Sequence, residues 1–124
     1  MDDSRLREAI KLYFDATNAS DESVMAEVFH DSAHLYSIEQ DGSLLDWDKD
    51  TFMGIMKSGR EAHQGEVFEP VNEIMSIDYI SEDLAVARIR VRVFETIYAD
   101  ILSFICLNDR WWIIAKTTVT EKAR

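Results

Sequence analysis

Between Leu84 and Val119 apolar and polar side chains alternate with a period of two, broken only by short turn signals at Glu95-Thr96 and Asn108-Asp109. That period puts successive side chains on opposite faces of a pleated strand, so the stretch reads as antiparallel hairpins with one face buried. A two-residue hairpin at Asn108-Asp109 pairs Leu107 with Arg110, Phe104 with Ile113 and Asp100 with Thr117. Another at Glu95-Thr96 pairs Val91 with Asp100 and Arg90 with Ile101. One face then carries Ala85, Ala87, Ile89, Val91, Val93, Tyr98, Asp100, Leu102, Phe104, Cys106, Trp111, Ile113 and Ala115. The other carries Arg88, Arg90, Arg92, Ile101, Ser103, Ile105, Trp112, Ile114 and Lys116.

The first half follows a different period. Leu6, Ala9, Ile10, Tyr13, Phe14 and Thr17 form one helical stripe, closed by Asn18-Ala19-Ser20. Val24, Met25, Val28 and Phe29 make the stripe of a second short helix, and 33–38 reads as a strand ending in the turn Glu39-Gln40-Asp41-Gly42. Asp48 or Asp50 caps a third helix that turns Phe52, Ile55 and Met56 inward and stops at Ser58-Gly59. With strands near 68–79, 84–94, 97–107 and 110–119, the chain reads as one α+β domain over 1–124.

Asp100 is the one charge well inside the apolar face. Such a carboxylate loses its water, which favours the neutral acid. One reading is a pocket acid that donates a hydrogen bond or works as a general acid/base. The other is a structural Asp bonded to a nearby hydroxyl or backbone group, or one turned outward by a register slip. On the opposite face Ile101, Ile105, Trp112 and Ile114 among Arg88, Arg90 and Arg92 exceed scattered exposure and point to a homodimer interface.

Charge excludes several partners. With 24 acidic residues against 13 Lys and Arg, the net charge of −11 argues against nucleic acid and against anionic membrane. No run approaches a membrane span, and the acidic start Met1-Asp2-Asp3-Ser4-Arg5 has no signal-peptide core. A single cysteine fits a reducing, cytoplasmic setting.

The order of elements, Tyr13 ahead of Asn18-Ala19-Ser20-Asp21, Phe29-His30-Asp31-Ser32-Ala33 leading into a strand, and the ending Arg110-Trp111-x-Ile113-x-x-Lys116 together resemble the NTF2-like superfamily, most closely its SnoaL-like and putative lumazine-binding branch. The resemblance covers essentially the whole chain. It implies a cone-shaped, cystatin-like α+β fold: three helices packed on a strongly curved mixed or antiparallel sheet, a pocket between them, and dimerisation through the sheet's outer face. It also implies a small apolar or aromatic ligand, taken either by a binding protein or by an isomerase, dehydratase or cyclase that needs no cofactor. Tyr13 and Asp100 are similar to the oxyanion-hole pair of ketosteroid isomerase. The base of that enzyme has no counterpart, because Ser37 stands where it should fall, so steroid isomerisation is not expected.

His34 is the other candidate base, since an imidazole titrates near neutrality. Parity sends either His34 and Tyr36 or Leu35 and Ser37 inward, and both remain open. The candidate catalytic set is therefore Tyr13, His34 and Asp100. The candidate pocket is Phe14, Tyr36, Phe52, Met56, Val91, Leu102 and Trp111. No metal is expected: His30 and His34 would need one continuous helix to chelate, and Asp46-Trp47-Asp48-Lys49-Asp50 lacks the glycine and glutamate of a calcium loop. Cys106 reads as a core thiol, and no glycine-rich phosphate loop suggests a nucleotide cofactor. The competing functional reading is a non-catalytic dimerisation or protein-interaction domain.

Overall fold

The computed structural model describes residues 3–121, so Met1 and Asp2 of the acidic start and residues 122–124 lie outside the described residues. Helix α1 (Ser4–Ala19) buries Leu6, Ile10, Tyr13, Phe14 and Thr17, the stripe read from the sequence apart from half-buried Ala9. It closes on Ser20 in the left-handed region, φ 47°. Asp21 then caps α2 (Glu22–Met25) by accepting from the Ser23 and Val24 amides. That helix is a single turn. Val28 and Phe29, expected on its stripe, are buried beyond it, and Phe29 opens strand β1 (Phe29–Ile38).

After Gly42 (φ 88°) the chain returns as β2 (Leu44–Asp48), antiparallel to β1 with Leu35 opposite Trp47. No strand is expected here from the sequence, only Asp48 or Asp50 as the cap of the helix that follows. Asp48 ends β2 and caps α3 (Lys49–Ala62), accepting from the Thr51 amide at 2.9 Å. The remaining strands are β3 (Asn72–Tyr79), β4 (Leu84–Val93), β5 (Thr96–Leu107) and β6 (Arg110–Thr120). Their order across the sheet is β2-β1-β6-β5-β4-β3. Every neighbouring pair is antiparallel except β1 and β6, which makes the sheet mixed. No helix among the described residues is long and apolar enough to cross a membrane.

Two register details decide which side chains meet. The β4–β5 turn is Phe94-Glu95, so Ile89 rather than Val91 opposes Asp100. A slip of two keeps every side chain on its face, and Ala85, Ala87, Ile89 and Val91 are fully buried as expected. The β5–β6 hairpin turns at Asn108-Asp109, both left-handed (φ 52° and 62°), and pairs Phe104 with Ile113. Beyond that pair the ladder shifts: Ser103 opposes Ala115, which leaves Ile114 as the extra residue of a β-bulge. One extra residue reverses the faces of everything after it. Asp100 therefore opposes Thr118, not Thr117, and Lys116, expected outside with the arginines, is buried on the inner face.

Candidate functional site

Helix α1 lies across the inner face of β4 and β6, and over this stretch the sheet is filled by core. Toward the end of the sheet where Tyr98 pairs with Thr120, the filling stops. A cavity of about 400 Å³ opens there between β1, β2, the end of β5, β6 and α3. Its walls are mostly apolar: Leu35, Leu45, Trp47, Phe52, Ile55, Met56, Val93, Phe94 and Tyr98. Its polar lining includes Asp100, Lys116 and Thr118, with Ser37, Thr17, Ser20 and Thr120 around them.

Asp100 is 1% exposed and held from two sides. The Tyr13 hydroxyl donates to Oδ2 at 2.5 Å and the Thr118 hydroxyl to Oδ1 at 2.5 Å. The Lys116 ammonium stands 3.8 Å from Oδ2, an ion pair rather than a hydrogen bond. The same ammonium lies 4.8 Å from the Phe52 ring centroid and 5.1 Å from that of Tyr13, within cation–π reach of both. Burial lowers the Lys116 ammonium from its ordinary value, and Asp100 opposes that shift. Burial, followed by the charge and hydrogen bond of Asp100, pushes the Tyr13 phenol well above its usual range.

Of the two readings left open for Asp100, the arrangement matches the structural one, an Asp bonded to nearby hydroxyls, here those of Tyr13 and Thr118. The proton of Tyr13 is committed to Asp100, and Tyr13, fully buried, lies behind the cavity wall. What the pair leaves facing the cavity is the Lys116 ammonium. Asp100 is its one anionic partner among the described residues, and at 3.8 Å that contact leaves donors of the ammonium able to meet a ligand oxygen.

The other expected site residues divide. Phe52 and Met56 line the cavity, whereas Phe14, Val91 and Leu102 are core beneath it. Trp111 lies toward the Asn108-Asp109 hairpin, edge-on to Tyr79 at 6.5 Å, and does not line this cavity. The open parity of the first strand resolves with Leu35 and Ser37 inward. His34 and Tyr36 stack on each other at 5.9 Å on the other side, where His34 meets Asp46 at 2.6 Å, so neither reaches the cavity. Ser37 donates to the Thr118 carbonyl at 2.8 Å and is no free base.

Sequence reasoning missed Leu45 and Trp47, although Asp41-Gly42 followed by alternating side chains is a hairpin signal. It also missed Thr118 and Lys116, for which the bulge left no comparable mark. On the outer face Ile101 is 48% exposed, Ile105, Trp112 and Ile114 are half-buried, and Arg90 is tied to Glu73 and Glu121. Arg92 leaves the expected interface set: it lines a second cavity at the edge of the first.

A curved mixed sheet wrapped against helices, with a cavity where the helix cover ends, defines an NTF2-like, cystatin-like protein. Solved structures agree. An NTF2-like protein of unknown function from Shewanella baltica superposes with a TM-score of 0.81 at 18% identity, over 96% of this chain and 93% of its own. One from Silicibacter pomeroyi gives 0.80 at 19%, over 95% and 94%. A ketosteroid isomerase-like protein from Erwinia carotovora atroseptica gives 0.71 at 15%, over 97% and 96%. The family model described as "Putative lumazine-binding" matches residues 1–118, and the chain belongs to that family. No curated protein matches the sequence.

Proposed function

We propose that the chain binds a small, flat, largely apolar or aromatic molecule in the cavity beside Asp100, with a carbonyl or enol oxygen of the ligand placed at Lys116. The observation that carries this reading is a buried ammonium, ion-paired only with Asp100 at 3.8 Å among the described residues, in the lining of an aromatic-walled cavity of about 400 Å³. Small-ligand sites are of this size and kind, with a few polar groups fixing orientation. The family description names lumazine, a bicyclic ring system carrying carbonyl oxygens, which suits both the walls and the donor.

Binding is favoured over isomerisation, dehydration or cyclisation because the cavity offers no uncommitted base. Ser37 is spent on a carbonyl, His34 lies outside, and Asp100 is saturated by its own donors. Ile101 and its neighbours favour self-association through the outer face of the sheet as a second feature of the same protein. In that arrangement Ile101→Glu converts dimers to monomers in sedimentation. The free Cys106 suits the reducing cytoplasm proposed as its setting.

The binding test is fluorescence titration with lumazine and, separately, with naphthol, read through Trp47 in the cavity wall. Saturable quenching is expected. It is lost when Trp47 is replaced by Phe, and Met56→Trp, which fills the cavity, weakens binding about tenfold or more. Absence of saturable quenching with both probes, or quenching indifferent to Met56→Trp, overturns the proposal.

A further inference from the structure

The second cavity adjoins the first. It measures about 520 Å³ and lies between the end of α1, the end of α3 and the loop that follows it, sharing Thr17, Ser20 and Phe94 with its neighbour. Phe94 forms the wall between them. Its φ of 54° is unusual for a bulky residue, and its ring sits so close to Gly59 that a Cβ there would meet Cε2 at 2.9 Å. His63 stacks on the same ring at 3.8 Å, and Phe68 stands edge-on to both. Gly59, His63 and Phe68 thus hold the Phe94 ring in place where the two cavities adjoin.

Their chemistry differs. Three basic side chains line the second cavity, and two are already engaged. Arg60 donates to the Ser20 carbonyl and to both oxygens of Glu22, at 2.7 and 3.2 Å. His63 meets Glu66 at 2.6 Å. Arg92 has no side-chain hydrogen bond or ion pair among the described residues, and its Nε is buried without a partner. Glu61, the remaining acid of the lining, is exposed. A buried donor left unsatisfied is costly, and a guanidinium presents its donors as a planar fork.

We infer that this second cavity is a binding site for a small aromatic carboxylate, whose two oxygens take the Arg92 fork and whose ring rests against the His63–Phe94–Phe68 wall. A carboxylate is favoured over a phosphate for two reasons. One guanidinium matches one planar monoanion, and a chain of net charge −11 repels a dianion more strongly. The inference stands apart from the first cavity, since it uses no residue of the Lys116–Asp100 cluster.

The test is a titration of the ¹⁵N-labelled protein with benzoate, and in parallel with inorganic phosphate, followed by NMR. The expected result is a saturable shift of the Arg92 Nε–H signal and of the Gly65 and Phe94 amides with benzoate, and a weaker response to phosphate. Arg92→Gln weakens benzoate about tenfold or more, as expected for loss of a charge-assisted contact, and Arg92→Lys by less. The wild-type Nε–H signal reports directly, so the conclusion does not depend on either variant folding well. Three results overturn the proposal: no saturable shift with benzoate, an equal response in Arg92→Gln, or a shift of the Trp47 indole with Arg92 silent. The last would place benzoate in the first cavity.

Discussion

Asp100 and Arg92 are both charged side chains drawn in from a sheet at one end of the molecule, and they are treated oppositely. Asp100 is enclosed by Tyr13 from α1 and by Thr118 and Lys116 from the neighbouring strand β6. Arg92 sits at the edge of an open cavity with no partner for its Nε. A buried charge whose neighbours satisfy it is part of the architecture, and removing one neighbour leaves the rest exposed to the full penalty of burial. A charge left unsatisfied contributes little to the fold and is available to a ligand. The two cavities inherit that difference. The first offers the outer side of a built ion pair, and the second offers an unused fork.

The largest expected effect breaks the enclosed side. Lys116→Met strands the Asp100 carboxylate and destabilises the protein by about 3–5 kcal/mol in urea unfolding. Adding Asp100→Asn to Lys116→Met recovers most of that loss, because the amide needs no cation. Asp100→Asn alone does not behave as a neutral isostere, since it strands Lys116 in turn. Thr118→Val removes a single donor to the carboxylate and costs about 1.5–3 kcal/mol in the same measurement.

Proton linkage sharpens the comparison further. Below 10.5 the unfolded chain holds a proton on Lys116 that the folded state holds less firmly, so stability rises with pH toward that value. Above 10.0 the folded state keeps the Tyr13 proton that the unfolded chain releases, so stability falls. For Tyr13 the loss is at most about 1.4 kcal/mol over one pH unit. Tyr98, also raised by burial and by Asp100, adds to the falling limb. Stability, measured as the free energy of urea unfolding across the alkaline range, is expected to be greatest near pH 10. Lys116→Met removes the rising limb, and Tyr13→Phe shrinks the falling one without abolishing it. The smallest effect is at the other pole: Arg92→Gln changes stability by about 1 kcal/mol or less. A loss comparable to that of Lys116→Met would show that Arg92 is structural and would erase the contrast.

Much of this was present in the linear chain. Helical and strand periods identified α1 and the hairpins of β4, β5 and β6, because each depends on neighbours in sequence and on a turn between them. The period also singled out Asp100, whose place on the apolar face survived a register slip of two. What the sequence could not disclose was non-local. Ile114 bulges in the ladder between β5 and β6, and the register irregularity between β1 and β6 falls opposite the same residues. That single extra residue moved Lys116 from the outer face to the inner one and set its ammonium beside Asp100. The inward parity of Leu35 and Ser37 and the seclusion of Arg92 were decided in the same way. Which face a side chain takes follows from local alternation, but which groups meet on that face is set by pairings between distant strands, and only the assembled sheet supplies them.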